Sequence, residues 1–329
     1  MDYGPIMKHL ATALAIALIS STAFAVNVLV PAYFYPDGAG LGYWNALNAA
    51  ASKAPLVAIL NPNSGPGASI DPNYTNVLAS FRAAGGRAIG YVYTGYGTRS
   101  LAVVKSEVDK YRTFYPGLEG IFVDEMPNDS SASNLTYYGN LYAYIHSNQP
   151  NALVVGNPGT QTLEAYLTQP AADVLVTYET DTGYPGYIPD SWTTNRGASN
   201  FCHLPYAVAN AATMTNYVQL AIARNVGWIF VQSDVLPNPW DTLPAYWTNE
   251  VNFIQQLNRA RLKLSSTNGA SLQLDINGGP GRYVLEISTN LAGWSPVTTN
   301  LTGSGQLTVP LGAATNSSGR FYRTSQSVQ

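Results

Sequence analysis

The chain has 329 residues, 11% of them charged, and its 16 basic and 19 acidic side chains leave a net charge of -3 with a pI near 5.6. That balance provides no basic stripe for nucleic acid. The single cysteine, Cys202, excludes a disulfide framework, and with only His146 and His203 beyond the N-terminal segment it also excludes a zinc site of the usual Cys/His spacing.

At the N-terminus, Lys8 and His9 precede an apolar run over 10–19 that closes on Ala23-Phe24-Ala25. This is the pattern of a secretory signal peptide cleaved after Ala25, and the run is too short to span a bilayer. No later apolar run is as long. The expectation is therefore a secreted or surface-attached protein without an integral membrane span.

Eight short apolar runs follow: "VLVPAYFYP" (28–36), "LVAILNP" (56–62), "RAIGYVYT" (87–94), "GIFVDEM" (120–126), "ALVVGNPG" (152–159), "DVLVTYET" (173–180), "FCHLPYAV" (201–208) and "GWIFVQSD" (227–234). Nearly continuous Val, Ile, Leu and Phe content of this length reads as strands buried on both faces. Amphipathic segments at 74–86, 101–117, 135–150 and 215–227 lie between them, each ending at Gly or Pro as helices do. The segment 181–200 is mostly loop, so the sixth helix is the poorest. Strand and helix alternating over 26–259 predict an α/β fold, a (β/α)8 TIM barrel. An open doubly wound sheet lacks support, because no GxGxxG turn follows the first strand.

Beyond 262 the texture changes. Polar and apolar residues alternate between Gly-rich turns, which predicts a small all-β, sandwich-like C-terminal domain over 262–329.

Barrel active sites sit at the C-terminal strand ends. Those ends carry Tyr33, Tyr35, Asn61, Tyr91, Tyr93, Asp124, Glu125, Asn157, Tyr178, Glu179, Tyr206, Gln232 and Asp234. They hold no Lys or Arg, and no Gly-rich loop follows strands seven and eight, which disfavours a phosphorylated substrate. Carboxylates among tyrosines and amides suit an uncharged, hydroxyl-rich substrate. Glycoside hydrolysis needs one protonated carboxyl at the leaving oxygen and one ionised carboxylate serving the anomeric carbon. Strand alternation sets a condition: Asp124 and Glu125 share one side only if the strand ends at Asp124. The competing reading is that acids at a strand end cap the next helix, and "NDSSASN" just beyond is rich in capping residues.

"VPAYFYP", "VAILNPNSGPG", "GYVYTGYGTR", "GIFVDEMP" and "VTYET" together, over 28 to about 258, resemble the spherulin-4 family, glycoside hydrolase family 135. The family's barrel is similar to endo-α-1,4-galactosaminidases, which cut exopolysaccharide rich in N-acetylgalactosamine and galactosamine. The resemblance implies an acidic trio of Asp124, Glu125 and Glu179. In that trio Asp124 is the nucleophile, Glu179 the general acid/base, and Glu125 a carboxylate that tunes Asp124 or binds an amino sugar. It implies a polysaccharide partner. The 2-acetamido group of an α-linked galactosaminide, cis to the leaving oxygen, favours a protein nucleophile; carboxylates about 5 to 5.5 Å apart would mean retention and about 6.5 to 9.5 Å inversion. No cofactor or metal is expected, and no EF-hand-like spacing occurs. Tyr35, Asn61, Tyr93, Asn157, Tyr178 and Gln232 are the expected sugar-contacting shell, each with core packing or loop bracing as its competing role. Trp192 and Trp240 are further subsite candidates. The tail resembles a β module attached to many secreted bacterial proteins. The rival functional reading is a surface or matrix protein that binds polysaccharide in the barrel cleft without cleaving it.

Overall fold

A computed structural model describes residues 26–258 and, beyond them, 261–267, 271–277, 281–288, 293–302, 306–313 and 321–327. The expected signal segment, 1–25, lies outside the described residues. Among the described residues, no helix is long and apolar enough to cross a membrane.

Eight parallel strands close into a barrel in sequence order: β1 (Asn27–Ala32), β2 (Leu56–Leu60), β3 (Arg87–Tyr93), β4 (Gly120–Asp124), β5 (Leu153–Gly156), β6 (Val174–Tyr178), β7 (Phe201–His203) and β8 (Trp228–Ile229). All five residues of β2 and of β6 are buried, as the continuous apolar runs require when one face meets the lumen and the other meets helices. Every predicted strand is present, but most stop short of their apolar runs. The remainder turns into the loops that crown the barrel.

The helices are α1 (Gly38–Ala51), α2 (Pro72–Ala83), α3 (Leu101–Phe114), α4 (Ala132–Asn148), the single turn α5 (Ala165–Thr168), α6 (Ala211–Ala223) and α7 (Trp247–Asn258). Asp37, Asp71, Ser131 and Asn210 cap α1, α2, α4 and α6 through their side-chain oxygens, each satisfying a backbone N–H that the helix leaves open. Between β6 and β7 only three short 3-10 turns occur, matching the weak helical signal of 181–200. Aromatic packing replaces the missing helix there: Tyr178, Tyr184 and Tyr187 surround His203, whose ring meets the Tyr184 hydroxyl at 2.8 Å and Thr177 Oγ1 at 3.1 Å. Burial holds this histidine neutral by lowering its pKa to about 3.

Closure is tied at the chain ends of the barrel. β1 pairs with β8, and Asn258 at the end of α7 clasps the residue before β1, accepting from the Val26 N–H and donating to the Val26 carbonyl, both at 2.8 Å. Close approach explains one glycine in β3. A Cβ on Gly90 would lie 2.7 Å from the Tyr111 ring, which packs flat there while its hydroxyl donates to the Leu60 carbonyl.

Glu250, fully buried on α7, accepts the Val231 N–H through Oε1 at 2.9 Å, while Oε2 has no partner among the described residues. Burial raises its carboxyl to about 8, partly offset by the Val231 bond. A folded pKa above the unfolded one means that its stabilising contribution is complete below about pH 4.5 and is lost as pH rises through 8. Across that interval Glu250 is expected to contribute a slope of about -1.4 kcal/mol per pH unit. Glu250→Gln should flatten that part of the stability profile in chemical denaturation, and an unchanged profile would show the slope to arise elsewhere.

The strands beyond the barrel pair antiparallel, as their alternation predicts. β9 (Arg261–Thr267), β10 (Ser271–Asn277) and β13 (Gln306–Ala313) form one three-stranded sheet in the order β13-β10-β9. β11 (Gly281–Ser288), β12 (Ser295–Thr302) and β14 (Phe321–Ser327) form another in the order β12-β11-β14.

Candidate functional site

β4 ends at Asp124, and Glu125 turns into the left-handed region at φ 53°. The strand thus stops where the acids begin, and the two side chains take different partners. Neither caps the next helix. Ser131 accepts the Asn134 N–H at the start of α4, and Asp129 takes the Ser131 N–H and the Asn134 amide.

Backbone bonds beyond the ladders bring three strand ends to one level. The Asn157 N–H donates to the Val123 carbonyl at 2.8 Å, the Met126 N–H to the Asn157 carbonyl at 3.0 Å, and the Glu179 N–H to the Gly159 carbonyl at 2.9 Å. Asp124, Asn157 and Glu179 therefore meet, and Asn157 joins the two acids. Its Nδ2 donates to Asp124 Oδ1 at 2.8 Å and to Glu179 Oε2 at 2.7 Å. Two bonds of those lengths meeting at one nitrogen hold the accepting oxygens within about 5.5 Å of each other, the spacing of retaining rather than inverting carboxylate pairs.

The two acids differ in surroundings. Asp124 Oδ2 also accepts the Tyr91 hydroxyl at 2.7 Å, so each of its oxygens has a donor. Glu179 is raised to about 7, first by burial and then by the charge of Asp124, against hydrogen bonds from Asn157 and Trp240 that favour its ionised form. Tyr33 completes the floor: its ring meets Tyr91 edge-on at 5.6 Å, and its phenol is raised by burial and then by Asp124. A carboxyl protonated near neutrality thus faces a carboxylate held by two donors, the division of labour that acid-assisted displacement requires.

Glu125 lies beside this pair with other partners. Its Oε2 accepts the Gly95 N–H at 3.0 Å, and its carbonyl accepts the Tyr96 N–H and the Thr94 hydroxyl, each at 2.8 Å. It therefore grips the β3–α3 loop.

Of the expected sugar-contacting residues, only Asn157 touches the acids directly. Tyr35 is half exposed, and its hydroxyl joins Asp71 and the Asn73 amide at the head of α2. Asn61 Oδ1 accepts the Gly65 N–H and braces its own loop. Tyr93 pairs in register with Asp124 but lies under the Arg99 guanidinium, 3.7 Å from its ring centre. Gln232 is wholly buried, donating to the Thr242 carbonyl and accepting the N–H groups of Ser233 and Asp234. Tyr178 is 5% exposed in the aromatic cluster behind β6, with its hydroxyl on the Thr182 carbonyl. These four tyrosines and amides other than Tyr93 thus occupy the bracing or packing role that competed with sugar contact. Trp240 reaches Glu179, whereas Trp192 bonds the Thr162 carbonyl and packs on Phe201, anchoring its loop. Cys202 is fully buried, a packed thiol raised by burial. Among the described residues, no group of three or more His, Cys, Asp or Glu side chains could hold a metal ion.

Tyr91 and Tyr33 are the site residues that the expected shell omits. Their signal was their place at the strand ends, Tyr91 two residues before the end of β3 and Tyr33 directly after β1.

Fold and site together define a (β/α)-barrel protein with a carboxylate-lined mouth at the C-terminal ends of its strands. More particularly, the chain belongs to the spherulation-specific family 4, whose family model matches residues 27–254. Spherulin-4 of Physarum polycephalum is 40% identical over 152 residues, covering 46% of this chain and 44% of that protein, so the match spans less than half of that relative's length. The barrel is similar to the crystal structure of Aspergillus clavatus Sph3 in complex with GalNAc, with a TM-score of 0.63 and 23% identity over 71% of this chain and 99% of the other.

Proposed function

We propose that the protein is a secreted, endo-acting glycoside hydrolase that cleaves α-1,4-linked N-acetylgalactosamine or galactosamine exopolysaccharide with retention of configuration. The single observation that carries this reading is the Asn157 amide spanning Asp124 and Glu179, with Glu179 raised to about 7. The solved relative with GalNAc bound supports the sugar class.

In the first step Glu179 gives its proton to the glycosidic oxygen while Asp124 attacks the anomeric carbon. The carbon–oxygen bond breaks, the leaving chain departs as an alcohol, and a glycosyl ester forms on Asp124. That ester removes the negative charge that helped to raise Glu179, so the glutamate left ionised by its proton transfer becomes easier to keep ionised. In the second step this carboxylate takes a proton from water, the oxygen adds to the anomeric carbon from the vacated side, and the ester breaks. In an α-linked galactosaminide the 2-acetamido group is cis to the leaving oxygen and cannot attack from behind, which leaves the displacement to a protein carboxylate.

Incubation of the purified protein with galactosaminogalactan should release soluble oligosaccharides with new reducing ends, read by a reducing-sugar assay and mass spectrometry. Binding without release of fragments would replace this reading by that of a polysaccharide-binding matrix protein.

A further inference from the structure

Tyr96 stands out against the rules that place the other aromatic residues. The residue is 63% exposed, its hydroxyl has no hydrogen-bond partner among the described residues, and its backbone is left-handed at φ 54°. That region is disfavoured for L-residues and most of all for bulky ones. Neither burial nor hydrogen bonding of the side chain compensates for it.

The backbone around the ring is nevertheless tightly held. Gly95 and Gly97 on either side are also left-handed, at φ 56° and 82°. The Thr98 hydroxyl and N–H both donate to the Gly95 carbonyl, at 2.6 and 3.0 Å, and the Arg99 N–H donates to the Thr94 carbonyl at 3.0 Å. On the other side the loop hangs on Glu125 through the Gly95 N–H to its carboxylate and the Tyr96 N–H to its carbonyl. The Thr94 N–H donates to the Asp124 carbonyl at 3.1 Å. A strained, exposed aromatic residue is thus pinned to the residue next to Asp124, and strain maintained in this way beside a pair of acids points to a place kept for a ligand.

We propose that Tyr96 is an aromatic platform for a sugar ring of the substrate chain flanking the cleavage point, and that Glu125 is a positioning residue that holds this platform beside Asp124. The proposal rests on the galactosaminidase reading and extends it to a subsite. A pyranose presents an apolar C–H face of the right size for a tyrosine ring, and an extended glycan crossing the barrel mouth passes the β3–α3 loop as it leaves the acids.

The test uses calorimetric titration of an α-1,4-linked N-acetylgalactosamine tetrasaccharide into the Asp124→Asn protein, which binds without turnover, and into the same protein carrying Tyr96→Gly or Tyr96→Phe, with thermal melts of each. Tyr96→Gly should weaken the tetrasaccharide about five- to tenfold, leave binding of the N-acetylgalactosamine monosaccharide unchanged, and hold the melting midpoint or raise it by about 2 °C as the left-handed strain is released. Tyr96→Phe should keep the affinity within about twofold, since the ring face does the work. Equal tetrasaccharide affinity with and without the Tyr96 ring would overturn the platform. A midpoint lowered by several degrees in Tyr96→Gly would overturn it too, by showing that the ring serves packing. If the Asp124→Asn protein binds no tetrasaccharide at all, the galactosaminidase reading falls and the platform falls with it, a result distinct from equal binding.

Discussion

Asp124→Asn is expected to lower kcat on the polysaccharide by at least about a thousandfold, more than 4 kcal/mol of transition-state stabilisation, while leaving the fold in place. The side chain keeps its shape but loses the charge that the proposed mechanism directs at the anomeric carbon. It can still accept one hydrogen bond through its carbonyl. Its amide end must face either Tyr91 or Asn157, both of which donate to Asp124 in the native protein, and the mismatch costs on the order of 1 kcal/mol. Circular dichroism should therefore be native and the melting midpoint only slightly moved. Turnover within tenfold of the native protein would remove Asp124 from the nucleophile's role. The geometry also sets a stereochemical expectation: with Asp124→Ala and azide added, azide entering from the side of the missing carboxylate should yield the β-glycosyl azide, detectable by NMR.

Glu179→Gln is expected to separate two classes of substrate. For the natural glycan, whose leaving oxygen needs a proton, kcat should fall about 10²- to 10⁴-fold. For an activated galactosaminide whose leaving group departs as an anion, bond cleavage should be nearly preserved, and added azide should restore turnover. The native protein's pH profile tests the same assignment. Because Glu179 is raised to about 7, it is a competent acid below that pH, and kcat/KM should decline about tenfold per unit above it. The sign follows from the cause: burial and the charge of Asp124 favour the protonated form, so removing that charge in Asp124→Asn should shift the limb measured by Glu179 titration downward. A limb that stayed in place would mean that Asp124 does not govern it.

Both expectations depend on Asn157. Its two N–H groups are committed to the two acids, and its Oδ1 is buried without a partner among the described residues. An amide in this place fixes the distance between the carboxylates without adding charge, which a lysine, arginine or aspartate would do. The residue was expected on sequence grounds as a sugar contact; its place makes it the spacer between the two acids.

Much of this site could be read along the chain because strand ends announce themselves. An apolar run that breaks into Asp124 and Glu125 identifies both the strand and its solvent-facing end, and the same reasoning applies to Glu179 after β6. Period-two alternation also put Tyr33 and Tyr91 at strand ends, though not at Asp124's side. Loop geometry was less accessible. Whether Asn61, Tyr35 or Gln232 reaches a ligand depends on which backbone group lies nearest once the loop has closed. In each case a neighbouring loop or helix-end group took the polar atoms. Tyr178 follows a related pattern: its hydroxyl meets the Thr182 carbonyl just before the first 3-10 turn, and its ring packs on Tyr184 and Tyr187.

By itself, the amino-acid sequence determined the alternation of buried strands and amphipathic helices, the order of the strands, and the acids at the ends of β4 and β6, since each follows from interactions between near neighbours in the chain. Tertiary structure alone decided that Asn157 lies between Asp124 and Glu179, 33 residues from one and 22 from the other, and that Glu125 turns away to grip the loop bearing Tyr96. The physical reason is that closing a barrel fixes the height of each strand relative to its neighbours, and a shift of one residue in any of them would send these side chains to the opposite face.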